Sequence, residues 1–313
     1  MLLYINAISG KNHKTFLGSF ICYLSVLYLY FVIMLTAYIL IICSNSIIVY
    51  LIWRHQNLHE PMYIFIAALS VNSVLFSTAI YPKLLIDSLS EKQIISHGAC
   101  FFQWFVFYSS GGSDFLVLAA MAYDRYVSIC KPLQYATIMR TTTVNICLGL
   151  AWLLPACQVA GGVAMIANRQ ICNFSLEGII CNSLVQKLIC VSSRVIYVYG
   201  MIGMFTIGFF PVFFILFTYT KIFIVSSRSC REVRRKAAQT CLPHLIVLIN
   251  FSCLFAFDMI IARLEYNFPK VVRLIVTLQM ILFSPLFNPI IYGMKMKEIS
   301  KHLKRLFCSV KQT

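Results

Sequence analysis

Charged side chains are scarce in this chain, and that scarcity is the first constraint on its fold. Only 12% of the 313 residues are Asp, Glu, Lys or Arg, whereas 60% are hydrophobic. Soluble domains carry about 25% charged residues, so the composition excludes an ordinary soluble domain. Acidic residues are the rarer of the two signs, with 10 Asp and Glu against 26 Lys and Arg.

The few charges are clustered, and the intervals between them have the length of membrane-spanning helices. Six intervals lack Asp, Glu, Lys and Arg entirely, and a seventh, 94–121, is interrupted only by Asp114. Each interval provides the roughly 20 residues that a helix needs to cross the hydrocarbon core. Backbone polar groups in lipid must be hydrogen-bonded within the segment, so helices are expected. The six intervals are 15–53, 61–82, 141–168, 195–220, 237–257 and 274–294.

These intervals predict an all-α membrane protein, a seven-transmembrane helix bundle that forms a single domain over residues 1–313. A short amphipathic helix is expected after the last span, at about 295–308, because apolar residues alternate there with lysines. The first interval is longer than one span needs, so its first half is expected to be an apolar lead-in. We expect the spans at about 30–52, 62–86, 97–126, 143–166, 196–221, 237–262 and 272–293.

An odd number of spans places the two termini on opposite sides of the membrane. If the N-terminus is extracellular, most basic residues fall in cytoplasmic segments, as the positive-inside rule requires. The net charge of +16 is then explained by contact with anionic membrane lipids, and no nucleic-acid partner is expected. We therefore expect a multi-pass protein of the plasma membrane with its N-terminus outside.

Four of the 13 cysteines lie on the expected outer side, and an oxidising compartment favours two disulfides among them. Four cysteines allow three pairings, so spacing alone leaves the connectivity open. We favour Cys100–Cys181, which would tie the second outer loop to the third span, together with Cys172–Cys190 within that loop. Asn173 begins an Asn-Phe-Ser sequon beside Cys172 and is a candidate for glycosylation.

Two short motifs occur where spans end at the expected inner side. Asp124, Arg125 and Tyr126 end the third span, and an Asn-Pro-x-x-Tyr motif ends the seventh. This layout is typical of a seven-helix receptor that signals to a G protein. Arg125 can pair with Asp124 at rest and be released when the bundle opens, while the proline gives the seventh span a joint. The other residues assigned to this switch are Tyr219, Lys236, His244, Asn288, Pro289 and Tyr292.

Four longer strings carry a resemblance to one family. They are LHEPMYIF (58–65), MAYDRYVSICKPLQY (121–135), KAAQTCLPHL (236–245) and NPIIYGMKMKEI (288–299). In this order they resemble the signature strings of odorant receptors, a branch of the rhodopsin-like G-protein-coupled receptors. The strings PHL (243–245) and YPKLLIDSL (81–89) are more similar to the fish or water-borne-odorant branch. The resemblance implies an odorant ligand and a heterotrimeric G protein of the stimulatory olfactory type, which raises cyclic AMP, and no enzymatic activity.

The chain departs from the family pattern at two places. The second span usually carries an acid in the motif Leu-Ser-x-x-Asp, and here Ser73 stands in its place. Asp114 remains in the third span, and a carboxylate at mid-membrane is costly enough to be a functional candidate. It either holds an allosteric sodium ion with help from Ser73 or is protonated; no other cofactor is expected. The usual N-terminal glycosylation sequon is also absent, which bears on surface trafficking.

The resemblance places a ligand pocket in the outer half of the bundle, between the third, fifth, sixth and seventh spans. An apolar, aromatic lining with gaps left by glycines suits a small ligand. Within it, Arg263 would anchor a carboxylate or Asp258 an amine; alternatively, the two are loop-edge charges that neutralise each other. The candidates are Phe107, Tyr108, Gly111, Gly112, Gly203, Met204, Ile207, Phe255, Asp258, Met259, Arg263, Leu278 and Ile281.

Other receptor and protein classes fit less well. Phe107 stands where amine receptors carry an acid, and no lysine between Arg273 and Lys295 could bind retinal. A transporter or channel would need a polar path, and the spans supply only Asp114 and scattered Asn and Ser. A membrane enzyme would need a His cluster or paired carboxylates, which the spans lack. The alternative that stays open is the same receptor machinery sensing a non-odorant metabolite outside the olfactory system.

Overall fold

The computed structural model describes residues 2–5, 17–90, 92–167, 169–176, 178–190, 194–228, 235, 241–242, 245–257 and 270–310. Within these residues, six helices are long and apolar enough to cross a membrane. A shorter apolar helix, Leu245–Phe257, lies within the predicted sixth span. Together with the helix that follows the last span, this is the predicted fold class, a seven-helix bundle with an amphipathic terminal helix.

The helices are numbered in chain order. They are α1 (Leu17–Arg54), α2 (Pro61–Leu89), α3 (His97–Cys130), α4 (Thr141–Ala167), α5 (Arg194–Ser227), α6 (Leu245–Phe257), α7 (Lys270–Lys295) and α8 (Lys297–Val310). Short 3-10 turns follow α1 and α3, and a four-residue helix, Tyr135–Ile138, precedes α4.

Several helices extend past the predicted spans. The first begins at Leu17, well before the expected start at residue 30, because no proline and no charge interrupts the sequence there. The third continues to Cys130 and ends just before Pro132, since the residue preceding a proline is biased away from helical geometry. The fifth continues to Ser227 rather than ending near residue 221. Helix length in this chain is therefore set by helix breakers as much as by membrane thickness.

A small sheet was not predicted. Its strands are β1 (Leu2–Ile5), β2 (Ile94–Ser96) and β3 (Ser175–Leu176), in the order β2-β1-β3. The first strand pairs antiparallel with the second and parallel with the third. The sheet lies beside the start of α3, at the end of the bundle that carries Cys100 and Cys181, which we call the disulfide end. Strands of two to four residues are too short to show a period in the sequence.

Helix α3 is the central element of the bundle, and it contacts α2, α4 and α5. Its residues Phe115, Met121 and Ala122 are almost completely buried. By contrast, large apolar side chains such as Leu153 of α4 and Phe213 of α5 are more than half exposed. Exposed apolar faces on helices of this length are suited to lipid, as expected of a multi-pass membrane protein.

Candidate functional site

The carboxylate of Asp124 is completely buried at the end of α3 opposite the disulfide end, and it accepts hydrogen bonds from two sides. Arg125 donates to Oδ2 through Nε at 3.0 Å and through Nη2 at 2.5 Å. Tyr135, from the short helix before α4, donates its hydroxyl to Oδ1 at 2.8 Å. The guanidinium is therefore held against its own helix, and Tyr126 beside it is half-buried.

The Tyr135 hydroxyl is well suited to this contact. Burial, followed by the negative charge of Asp124, raises the pKa of Tyr135 above its usual range. The phenol therefore stays protonated and acts as a donor. A hydrogen bond to a charged group contributes about 1.5–3 kcal/mol, roughly twice a neutral one.

One switch residue of α5 lies near Arg125 and near a switch residue of α7. Tyr219 is within electrostatic range of Arg125 and Tyr292, and both tyrosines are buried. Among the residues described, the hydroxyl of Tyr219 and Oδ1 of Asn288 have no hydrogen-bond partner. Pro289, next to Asn288, is buried as well. The sequence motifs thus converge in space, and some of their polar atoms are unsatisfied in this arrangement.

Asp114 lies at mid-bundle beside a small cavity. Its Oδ1 accepts a hydrogen bond of 2.8 Å from Nδ2 of Asn72, which also donates to the main-chain oxygen of Ser110 at 2.9 Å. The cavity has a volume of about 20 Å³, and Asp114, Ser73 and Ser284 are among the residues that line it. A volume of this size holds about one water or one small ion.

A larger cavity, of about 110 Å³, opens nearer the disulfide end, and we call it the ligand cavity because several of the predicted ligand residues line it. It lies between α3, α4 and α5, with one residue from α6. Of the predicted ligand residues, five line it: Tyr108, Gly203, Met204, Ile207 and Phe255. Met204 and Ile207, the last two residues of this wall on α5, lie in a π-helical turn, Met204–Phe209, and such turns often occur at functional sites.

Helix α4, which was not part of the pocket expected from the sequence, forms one wall of the ligand cavity. Gln158, Val159, Gly162, Met165 and Ile166 of α4 all line it. In the described part of the chain, no residue of α7 does. Glycines explain how α4 and α5 come so close: a Cβ on Gly161 would lie 2.4 Å from the hydroxyl oxygen of Tyr199. Only glycine leaves room for that ring.

The other predicted ligand residues have different surroundings. Phe107 and Gly111 line the small cavity beside Asp114. A Cβ on Gly112 would lie 2.5 Å from Cγ2 of Ile207, so this glycine serves helix packing. Leu278 is half-buried and Ile281 fully buried, and neither lines these two cavities. Lys236, His244, Asp258, Met259 and Arg263 lie outside the described residues.

Two disulfides hold the loop that covers the ligand cavity. Cys100 of α3 is bonded to Cys181, with 5.3 Å between their Cα atoms, and Cys172 is bonded to Cys190 with 4.8 Å. Gln103 adds a third tie, since its Oε1 accepts a hydrogen bond of 2.8 Å from the main-chain N–H of Cys181. The loop is thereby fixed to the first turns of α3.

The Olfactory receptor family model matches residues 33–310. The chain belongs to the olfactory receptor family. It is 32% identical to human olfactory receptor 10K1 over 88% of this chain and 89% of the relative. Human olfactory receptor 11A1 is 33% identical, with 91% and 90% covered, and human olfactory receptor 51E1 is 33% identical, with 86% of each.

As an olfactory receptor, the protein is a G-protein-coupled receptor and not an enzyme. Membership implies a small-molecule ligand and coupling to a G protein, and the apolar helices make it a multi-pass membrane protein. The ligand cavity and the Asp124–Arg125 pair lie toward opposite ends of α3, with Asp114 between them.

Four polar residues of this olfactory receptor were not predicted from the sequence: Asn72, Gln103, Tyr135 and Gln158. Three of them are isolated polar side chains within apolar spans, where polar groups are expensive and usually face the bundle interior. That was the available signal, and applying it to every span would have identified them. Tyr135 lies in a quoted motif, but its partner can only be identified in three dimensions.

The candidate glycosylation site of the receptor is exposed. Asn173 has its Oδ1 bonded to the main-chain N–H of Ser175 at 3.0 Å, and the adjacent Cys172 is in a disulfide. A glycan at Asn173 would be attached to a side chain that already accepts a hydrogen bond within the loop.

Proposed function

We propose that this receptor binds an odorant in the ligand cavity and activates the stimulatory olfactory G protein, which raises cyclic AMP. It acts in the plasma membrane with its N-terminus outside, and the disulfide end faces the odorant. The motifs PHL (243–245) and YPKLLIDSL (81–89) favour water-borne odorants.

The observation that carries this proposal is the pair of sites at opposite ends of the same two helices. Tyr108 of α3 and Ile207 of α5 line the ligand cavity, while Arg125 of α3 and Tyr219 of α5 lie within electrostatic range of each other near the other end. Any ligand that changes how these helices pack at the cavity therefore also changes their packing around Arg125.

Arg125 has two candidate partners: Asp124 in the closed arrangement and the Tyr219 hydroxyl in an open one. Arg125 is held by Asp124, while the Tyr219 hydroxyl lacks a partner among the described residues. When Arg125 leaves Asp124, its guanidinium can donate to that hydroxyl and present a positive charge to the G protein. A ligand shifts the balance by its difference in affinity for the two arrangements.

Asp114 is a candidate site for the allosteric sodium ion. Asp114, Ser73 and Ser284 line a space of about 20 Å³, and hard cations prefer the carboxylate and hydroxyl oxygens that such side chains carry. A cation held there would supply positive charge that stabilises the buried carboxylate between the ligand cavity and the switch.

Membrane lipids are proposed as partners of α8. Ile299 is buried and Leu303 half-buried against the bundle, whereas Lys301, Lys304 and Arg305 are exposed. A helix with this distribution lies along a membrane face and binds anionic headgroups with its basic side.

The test uses cells that contain the olfactory G protein and a cyclic-AMP reporter, with surface expression measured in parallel. We expect a response to at least one odorant of a broad water-soluble set. Arg125→Ala is expected to abolish the response without reducing surface level, and Arg140→Ala, which removes an exposed arginine after the same loop, serves as the control. A normal response in Arg125→Ala would contradict the switch assignment.

A further inference from the structure

A third cavity lies between α2, α3 and α4, on the outside of the bundle, and we call it the lipid-facing groove. Its volume is about 480 Å³, within the range of about 300–1,000 Å³ that is usual for small-molecule sites. Among the described residues, none is shared between this groove and the ligand cavity or the small cavity beside Asp114. The groove is therefore a separate space.

The rim of the groove faces the membrane. Leu75 of α2, Phe102 of α3 and Trp152 of α4 line it, and all three side chains are exposed. Exposed apolar side chains on spanning helices face hydrocarbon. None of the described residues that line the groove is charged. Its occupant therefore enters from the bilayer rather than from water.

The floor of the groove, formed by the buried residues of its lining, is polar. Ser110 of α3 is only 7% exposed, and its hydroxyl makes no hydrogen bond within the described part of the chain. Ser113 is buried as well; its hydroxyl donates to the main-chain oxygen of Ser109 at 2.8 Å, which leaves the oxygen able to accept. An unpaired hydroxyl away from water is unfavourable, so the floor favours a partner that can both accept and donate.

Asn72 of α2 fixes the position of this floor. It lines the groove, and its Nδ2 donates to the main-chain oxygen of Ser110 at 2.9 Å and to Oδ1 of Asp114 at 2.8 Å. Both hydrogens of the amide group are thus used. The turn of α3 that carries Ser110 is held against α2, so an entering molecule meets a hydroxyl on a fixed backbone.

The depth of the polar floor discriminates between membrane molecules. Helix α3 runs from His97 to Cys130, so Ser110 lies about 20 Å along the axis from its start, near the middle of the helix. Phospholipids and sterols keep their polar groups at the membrane surface and place apolar chains at this depth. A small molecule without a headgroup can place a single polar group there instead.

We propose that the lipid-facing groove binds an aliphatic alcohol that is dissolved in the bilayer. Its chain packs along Phe102 and Phe105, and its hydroxyl accepts a hydrogen bond from Ser110 and donates to an oxygen of the floor. A ketone can only accept, so it matches the floor less well. The site involves neither the ligand cavity nor a G protein and is independent of the proposed function.

Binding is measured on the purified receptor in nanodiscs of phosphatidylcholine without sterol. The probe is 1-octanol carrying a diazirine on its chain, and mass spectrometry locates the labelled residues after illumination. We expect label on α2, α3 and α4 around the groove. At equal concentration in the bilayer, 1-octanol is expected to displace the probe about fivefold better than nonane, which replaces the hydroxyl by a methyl group; this is the effect of one neutral hydrogen bond. The ketone 2-octanone is expected to fall between them.

Three variants test the residues. Ser110→Ala removes the unpaired hydroxyl but keeps the main-chain oxygen that Asn72 binds, so 1-octanol should lose its advantage over nonane. Ala156→Phe places a ring in the groove from α4, and labelling of the groove should fall at least tenfold. Ser44→Ala removes a hydroxyl from α1 that bonds to its own helix, and as the matched control it should keep both the label and the preference.

Several results would overturn the inference: label outside the groove, equal displacement by 1-octanol and nonane, or displacement by 2-octanone that exceeds that by 1-octanol. Labelling that survives Ala156→Phe would do the same, as would a preference for 1-octanol that survives Ser110→Ala. Displacement of the probe by cholesterol added to the nanodiscs, but not by 1-octanol, would assign the groove to a sterol and also sink the proposal.

Discussion

Asn45 of α1 donates a hydrogen bond of 2.9 Å to the main-chain oxygen of Pro285 in α7, 240 residues away. Pro289 has no N–H, so the carbonyl four residues before it has no donor within its own helix. Asn45 supplies that donor, and it also bonds to its own helix at Ile41. The other proline of α7, Pro285, likewise leaves the carbonyl of Ile281 without a donor in its own helix. The hydroxyl of Tyr81 supplies the donor at 3.4 Å.

Removing this donor is expected to destabilise α7. Asn45→Leu leaves a carbonyl unsatisfied in an apolar interior, which costs about 1–3 kcal/mol. The melting temperature of the purified receptor and its surface level are both expected to fall. Ser46→Ala changes the exposed neighbour and should leave both near the wild-type values; an unchanged melting temperature in Asn45→Leu would show that the bond contributes nothing.

Tyr135→Phe is expected to raise signalling in the absence of ligand. The phenol holds Asp124 from the side opposite Arg125, and deleting it removes one hydrogen bond to a carboxylate, about 1.5–3 kcal/mol. Even part of that free energy raises the population of the open arrangement, in which Arg125 has left Asp124, by several-fold. Basal cyclic AMP per receptor at the surface measures the effect. Thr137→Val removes another hydroxyl from the same loop, and equal basal levels in the two variants would refute the role of Tyr135.

Loss of the disulfide between α3 and the covering loop is expected to keep the receptor inside the cell. Cys100→Ser or Cys181→Ser opens a link between residues 81 positions apart, and removing such a bond from a small secreted domain typically costs about 2–5 kcal/mol. Surface labelling of both variants measures the outcome, with Cys253→Ser, an exposed free cysteine, as the control. Normal surface levels of both variants would show that the bond is dispensable.

The bundle could be predicted from the sequence because the membrane imposes a strict rule on it. Any long interval without charge must form its own hydrogen bonds, so the location of Asp, Glu, Lys and Arg nearly defines the helices. The partners of individual side chains follow no such rule. The contact between Asn45 and Pro285 depends on how α1 and α7 are rotated, and an apolar helix carries little information about its rotation.

The wall that α4 forms in the ligand cavity could not be predicted from the sequence. Its residues Leu153 and Leu154 are exposed, whereas Pro155 next to them is buried, and nothing in their hydrophobicity distinguishes the two faces. In a soluble helix, polar residues would mark the outer face. In this helix, lipid makes the outer face as apolar as the inner one. Only Gln158, a polar residue in the middle of the span, indicated which face is turned inward.

Gly112→Ala is expected to disturb the packing of three helices. The new methyl group would lie 2.5 Å from Cγ2 of Ile207 and 2.8 Å from Cβ of Pro155, so α3 would have to move away from α4 and α5. Overpacking of this kind costs about 1–3 kcal/mol. A lower melting temperature is expected, together with weaker binding in the adjoining ligand cavity. Gly149→Ala is the matched control, since its methyl group would meet no atom within 4 Å; equal melting temperatures would contradict the tight contact.

The attachment of α8 is expected to weaken in acid because of His302. This side chain is buried against the bundle, its ring centre lies 3.9 Å from that of His55, and Nδ2 of Asn57 lies 3.3 Å from its Nε2. Burial, then the neighbouring His55, lowers the pKa of His302, and Arg305 and Lys301 act in the same direction against Glu298.

A histidine whose pKa is lowered in the folded state binds fewer protons there than in the unfolded state. Stability is therefore unaffected at neutral pH and is lost as the pH falls through the unfolded value of about 6.5 toward the lower folded value. The melting temperature of the purified receptor, followed from about pH 7.5 downward, is expected to drop by a few degrees, and His302→Gln should reduce that drop. His59→Gln, at an exposed histidine of the same region, should retain it. A drop of equal size in His302→Gln and in the wild type would assign the acid sensitivity to another group, because a neutral amide at that position has no proton to gain.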